Sequence, residues 1–102
     1  MKPNLATSLA LSAVLCTAAA SAFAYKGEAL ARHAKITIAQ ARTIALKAHP
    51  GVIAEEELEK EGGGSGLRFS FDIKAGKVVQ EVGVDAKDGK VLENAPERNE
   101  AK

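Results

Sequence analysis

Five glutamates crowd one short stretch of the chain: Glu55, Glu56, Glu57, Glu59 and Glu61. Carboxylates at this density attract a cation or a basic partner. The same pattern also serves as a charged strand edge that resists sheet-to-sheet aggregation, and this plainer reading is preferred. The two histidines, His33 and His49, stand sixteen residues apart with no cysteine near them, which is weak spacing for a metal site. Asp85 and Asp88 precede Gly89 like the start of a calcium loop, but such a loop needs more oxygen ligands and a closing glutamate further on than Glu93. Ser65, Ser70, Thr37 and Thr43 carry hydroxyls without a neighbouring base in a nucleophile pattern. The run Gly62-Gly63-Gly64-Ser65-Gly66 lacks the Lys-Ser/Thr end of a phosphate loop and sits between strands. No catalytic residue, metal ligand or cofactor-binding residue is assigned, and the chain is read as a non-enzyme.

The N-terminus bears Lys2, an apolar run from Leu5 to Ala20, and then Ser21-Ala22-Phe23-Ala24. Small residues at Ala22 and Ala24 form the pattern a signal peptidase reads, so residues 1–24 are expected to be a removed signal peptide. The run is short for a bilayer span. The single cysteine, Cys16, lies in this segment behind Leu15, which argues against lipidation. The full chain carries 14 basic and 13 acidic side chains. Loss of Lys2 with the signal balances the charge, which leaves no electrostatic footprint for nucleic acid. The remaining chain allows one domain, with no disulfide to staple it.

Inside that domain the periods are legible. Residues 25–35 are a polar, Ala-rich arm without a strong period, read either as a helical turn or two or as a loose arm. Thr37 with Gln40 three residues on makes a capping box. Ile38, Ala41, Ile44, Ala45 and Ala48 then share a face at helical spacing, so a helix is expected over about Ile38 to Ala48, closed by Pro50-Gly51. After Gly51 the period becomes two. Val52 to Lys60 is a strand with Val52, Ala54 and Leu58 on one side and Glu55, Glu57 and Glu59 on the other. Gly62–Gly66 reads as a flexible connector. Leu67, Phe69, Phe71 and Ile73 alternate with Arg68, Ser70, Asp72 and Lys74. Ala75-Gly76 turns the chain into a third strand, where Val78, Val82 and Val84 alternate with Val79, Glu81 and Asp85. Lys87-Asp88-Gly89-Lys90 is a hairpin turn, and Val91-Leu92 begins a short last strand. Residues 94–102 are expected to be a disordered charged tail. The fold class is α+β: one amphipathic helix packed on a three- to four-stranded antiparallel sheet, with the other sheet face wet.

Ala41-Arg42-Thr43-Ile44-Ala45-Leu46-Lys47-Ala48, His49-Pro50-Gly51 and Val82-Gly83-Val84-Asp85-Ala86-Lys87-Asp88-Gly89-Lys90-Val91-Leu92, in this order, resemble the PepSY domain, over residues 36–93. The closing motif is the more specific part. The resemblance implies a module found in propeptides of secreted thermolysin-like metallopeptidases and as stand-alone secreted or membrane-tethered units, with a proposed role in restraining or regulating peptidases. It supplies no fixed catalytic residues. No His-Glu-x-x-His follows in this chain, so any peptidase regulated here is a separate protein, acted on in trans.

The sequence thus points to a secreted or periplasmic, non-catalytic protein-binding module that modulates a metallopeptidase. Two alternatives stay open: a periplasmic metal or small-ligand binder using the acidic strand and His49, and an envelope sensory or interaction module that inhibits nothing. Candidate partner contacts are Glu55, Glu57, Leu58, Glu59, Leu67 and Arg68, with main-chain pairing as in β-strand addition. The expected partners are a secreted metallopeptidase or another envelope protein; nucleic acid and stable membrane insertion are not expected.

Overall fold

The computed structural model describes residues 24–97. The signal-peptide expectation, apart from Ala24, and the end of the charged tail lie outside the described residues. One α-helix, α1 (Ile38–Ala48), precedes four strands: β1 (Val52–Lys60), β2 (Leu67–Ala75), β3 (Val78–Asp85) and β4 (Val91–Pro96). All neighbouring strands are antiparallel, in the order β1-β2-β3-β4. The helix lies across β2, β3 and β4 on one face of the sheet.

Local chemistry sets the helix limits. The Gln40 amide donates to the Thr37 hydroxyl at 3.0 Å, and the Thr37 amide donates to Gln40 Oε1 at 2.9 Å. Two first-turn donors that the helix cannot satisfy are thereby satisfied reciprocally. At the other end the His49 amide still donates to Ala45 O, and the backbone then extends into Pro50, which has no amide to continue the ladder. The buried helix face is Ala41 and Ala45, flanked by half-buried Ile38, Ile44 and Ala48. Its residues match the face set by the 3.6 period.

Below the helix, Leu67, Phe69, Phe71 and Ile73 of β2 and Val82 and Val84 of β3 form the centre of the core, with Leu58 and Ala86 at its ends. Alternation along β2 puts its four apolar side chains on the helix side and Arg68, Ser70, Asp72 and Lys74 on the other. Val78 was grouped with Val82 and Val84 but is half exposed, since it sits beside the Gly76-Lys77 turn at the end of the hairpin.

Two features depart from the sequence expectation, and the arm takes the helical-turn form, one of its two expected forms. In β1, Ile53 pairs with Ile73 and Glu55 with Asp72, so Ala54 is an extra residue in a β-bulge. The bulge shifts the alternation. Ile53, Glu56 and Leu58 take the helix side, while Val52 and Ala54, expected there, are exposed. The last strand extends through Pro96, and the Glu97 amide donates to Val79 O, so residues 94–96 belong to the sheet rather than to a tail. The arm before the helix is also built in. It forms a short 3-10 helix, Glu28–His33, and makes one parallel bridge from Lys26 to Glu57 on the outer edge of β1.

Candidate functional site: the open face of the sheet

The face of the sheet away from α1 gathers most of the acidic side chains. Cross-strand register places Glu55 opposite Asp72, and Asp72 opposite Glu81, so three carboxylates stand in one row across β1, β2 and β3. Directly opposed side chains in a sheet lie about 5 Å apart at Cβ, where like charges repel. The next row holds Glu57, Ser70, Gly83 and Glu93, and the one after it Glu59, Arg68 and Asp85. An open depression of about 550 Å³ lies here, lined by Lys26, Glu55, Glu56, Glu57, Ser70, Asp72 and Glu81.

The electrostatics follow from this crowding. Burial, then the charges of Glu97 and Glu55, hold the Asp72 carboxyl above its ordinary value. Burial, then Glu93, Asp72 and further acids, raise Glu81 in the same way. The neighbouring Glu59 carboxylate and burial together raise Glu57 more than Lys26, 3.7 Å away, lowers it. On Glu59, burial pushes upward, but the Ser70 hydroxyl donating to Oε2 at 2.7 Å, with Glu57, Glu61 and Arg68, lowers it overall.

The predicted contact residues divide. Glu55 is exposed, and Glu57 and Glu59 are half-buried on the open face beside each other. Leu58 and Leu67 point to the other side and are core residues, 2% and 6% exposed. Their place beside the Gly run suggests contact residues, but strand alternation turns both side chains toward the helix. Arg68 lies on the open face but is spent internally. It stretches over Gly83, donates from Nη2 to Gly62 O at 3.0 Å, and pairs through Nη1 with Glu93 at 3.3 Å. Its Nε is buried without a partner.

The Gly62–Gly66 segment is tied down rather than loose. Ser65 reaches Asp85 through both amide and hydroxyl, and the Lys87 amide donates to the same carboxylate at 2.8 Å. Asp85 is 1% exposed. Burial pushes its carboxyl upward, but the donors of Lys87, Ser65 and Asp88 outweigh it and hold the group down at about 2. Asp85 thus clips the β1–β2 loop to the β3–β4 turn, a role the calcium-loop comparison did not suggest. A readable signal was present: counting back from the two-residue Gly76-Lys77 turn pairs Asp85 with Arg68.

On the helix side, Glu56 accepts a bidentate pair from Arg42, Nε to Oε1 and Nη2 to Oε2, both 2.8 Å. This fastens α1 to the edge strand. His33 takes only a contact from Arg32, and His49 Nδ1 is buried without a partner. Among the described residues, no group of three or more His, Cys, Asp or Glu side chains is placed to hold a metal ion, and no helix is long and apolar enough to cross a membrane. The site therefore offers charge and shape rather than a reacting constellation.

The family model described as "Peptidase propeptide and YPEB domain", PepSY, matches residues 35–94. Neither the curated proteins nor the solved structures compared contain a match to the chain. Domains of the matched family are regulatory modules without catalytic machinery of their own. The helix, the Pro-Gly helix stop, the first three strands, the Asp-Gly turn and most of β4 fall inside the matched region, and the chain belongs to the PepSY family.

Proposed function

We propose that this chain is a secreted or periplasmic PepSY module, released by cleavage after Ala24, that binds a separate metallopeptidase and restrains it in trans. The row Glu55–Asp72–Glu81 is the observation that carries the reading. A sheet with one face covered by a helix would ordinarily mix charges on the other. Here three like charges are lined up, at a cost in stability that a basic partner surface offsets on binding. Glu57 and Glu59 extend the patch along β1, Leu58 and Leu67 support it from behind, and Arg68 is held on the open face by Gly62 and Glu93 rather than offered to the partner.

Charge reversal tests this. Purified protein with Asp72→Lys or Glu81→Lys is compared with wild type for binding to a co-secreted thermolysin-like metallopeptidase. The variants should fold and bind more weakly, with the difference shrinking at high salt. Equal binding by all three removes the open face from the interaction. Binding without any slowing of the peptidase assigns the chain to an interaction module with no inhibitory role. Intact mass of the exported protein checks the cut: a dominant species retaining Cys16 contradicts it.

A further inference from the structure

The outer edge of β1 is already occupied, and the occupant indicates what the edge accepts. Lys26 lies parallel to Glu57, and its carbonyl accepts the Leu58 amide at 2.9 Å. Its ammonium stands 3.7 Å from the Glu57 carboxylate. One residue earlier, the Tyr25 ring packs on Phe69 with centroids 6.3 Å apart and the planes tilted by 56°. One residue later, Gly27 adopts φ 85°, and a Cβ there would strike the Leu58 carbonyl. Aromatic, cation and glycine act in sequence: the first covers the core, the second meets the acid, the third lets the chain leave the edge.

We propose that the β1 edge at Glu57–Leu58 is a strand-accepting site for an extended segment of a partner protein bearing an aromatic residue followed by a basic one, and that Tyr25–Gly27 fills it as an internal stand-in. This deepens the reading of the acidic face as a surface for a basic partner. Among the described residues, Lys26 is the one cation lining the acidic depression, so the residue that displaces it must supply a positive charge in its place. The arm is held lightly. Its ion pair is long and the Lys26 side chain is 84% exposed, a geometry that contributes little. A single edge hydrogen bond, the half-buried Tyr25 ring and the half-buried Leu30 side chain do the rest. Tethering keeps such a segment in place, because a short linker gives an effective concentration of about millimolar. A partner strand that pairs with more of the β1 edge gains main-chain hydrogen bonds the arm does not make. The arm precedes residues 35–94, which the family model matches.

The test uses Gly27→Val, which strains the backbone and sets a methyl against Leu58 O, in the otherwise unchanged protein. The probe is the free peptide Ala-Tyr-Lys-Gly-Glu-Ala-Leu, the chain's own residues 24–30, at millimolar concentration. It should shift the amide resonances of Glu57, Leu58 and Phe69 in the variant, with affinity about tenfold above that for wild type, whose edge is filled in cis. A peptide carrying Glu in place of Lys26 should not bind. If Gly27→Val does not fold, Tyr25→Ala loosens the arm without altering a backbone angle and serves instead. A folded variant with an exchanging Leu58 amide that ignores the peptide overturns the proposal. So does concentration-dependent dimerisation without peptide binding, which gives the edge to a second copy. Failure of the peptide titration with metallopeptidase binding intact removes the edge inference alone, and the converse removes the peptidase reading alone.

Discussion

Ser65 grips both carboxylate oxygens of Asp85: its amide donates to Oδ2 and its hydroxyl to Oδ1, each at 2.7 Å. The contact bridges twenty residues of sequence and fixes a glycine-rich loop that composition alone presents as slack. Ser65→Ala removes one of the two donors to Oδ1 and leaves the Lys87 amide in place, so the cost is that of one hydrogen bond to a charged group, about 1.5–3 kcal/mol. Replacing Gly62–Gly66 by a two-residue Asn-Gly turn should likewise destabilise, although a flexible connector would have gained from shortening. Gly64 cannot be spared, since its φ is 55° and a Cβ would meet the Asp85 carboxylate. Chemical denaturation of the two variants checks both. Unchanged midpoints would show that the clip carries no stability.

Stability should peak in mild acid. Asp72, Glu81 and Glu57 have raised folded values, so their stabilising effect is present below the unfolded values of 3.8 for Asp72 and 4.5 for the glutamates, and is lost as pH rises through the folded ones. Lowering the pH from 7 towards about 4.5 should therefore raise Tm. Asp85 acts in the opposite sense. Its folded value of about 2 lies below the unfolded 3.8, so its contribution, on the order of 2 kcal/mol, is present above that value and is lost as pH falls from 3.8 towards 2. Thermal melts across this range should show a maximum between the two limbs. Asp85→Asn should lower Tm at neutral pH and flatten the acid limb.

Phe71 is fully buried in the middle of β2 beneath the helix. Phe71→Ala should cost about 3–5 kcal/mol, transfer and cavity terms together. That is comparable with the whole stability of a domain this small. Melting within a few degrees of wild type would mean that the sheet closes the cavity by itself.

The parts of this structure that were readable from the chain are those set by short-range rules. The Thr37–Gln40 box fixes the helix start, Pro50 its end, and the strict alternation from Leu67 to Ile73 the buried face of β2. The hairpin after β2 was readable as well, but its two turn residues are Gly76-Lys77 rather than Ala75-Gly76, and only this register aligns Asp72 with Glu81. What was not readable depends on partners distant in sequence. The bulge at Ala54 puts Ile53 rather than Val52 on the core side while leaving Leu58 there, and nothing local in Val52-Ile53-Ala54-Glu55 signals it. Arg68 looks like a surface cation until Gly83 and the Gly62 carbonyl, brought in by the fold, enclose it. The arm shows no period because it packs through Tyr25, Lys26 and Leu30 one residue at a time.

The most direct measurement is titration of the purified protein, wild type and Asp72→Lys, against a thermolysin-like metallopeptidase from the same envelope, following binding and peptide hydrolysis together. The row of carboxylates on the open face predicts that wild type binds and slows the enzyme, and that Asp72→Lys does both less well while remaining folded. No binding and no slowing by wild type at high micromolar concentration would contradict the assignment of this face to a metallopeptidase.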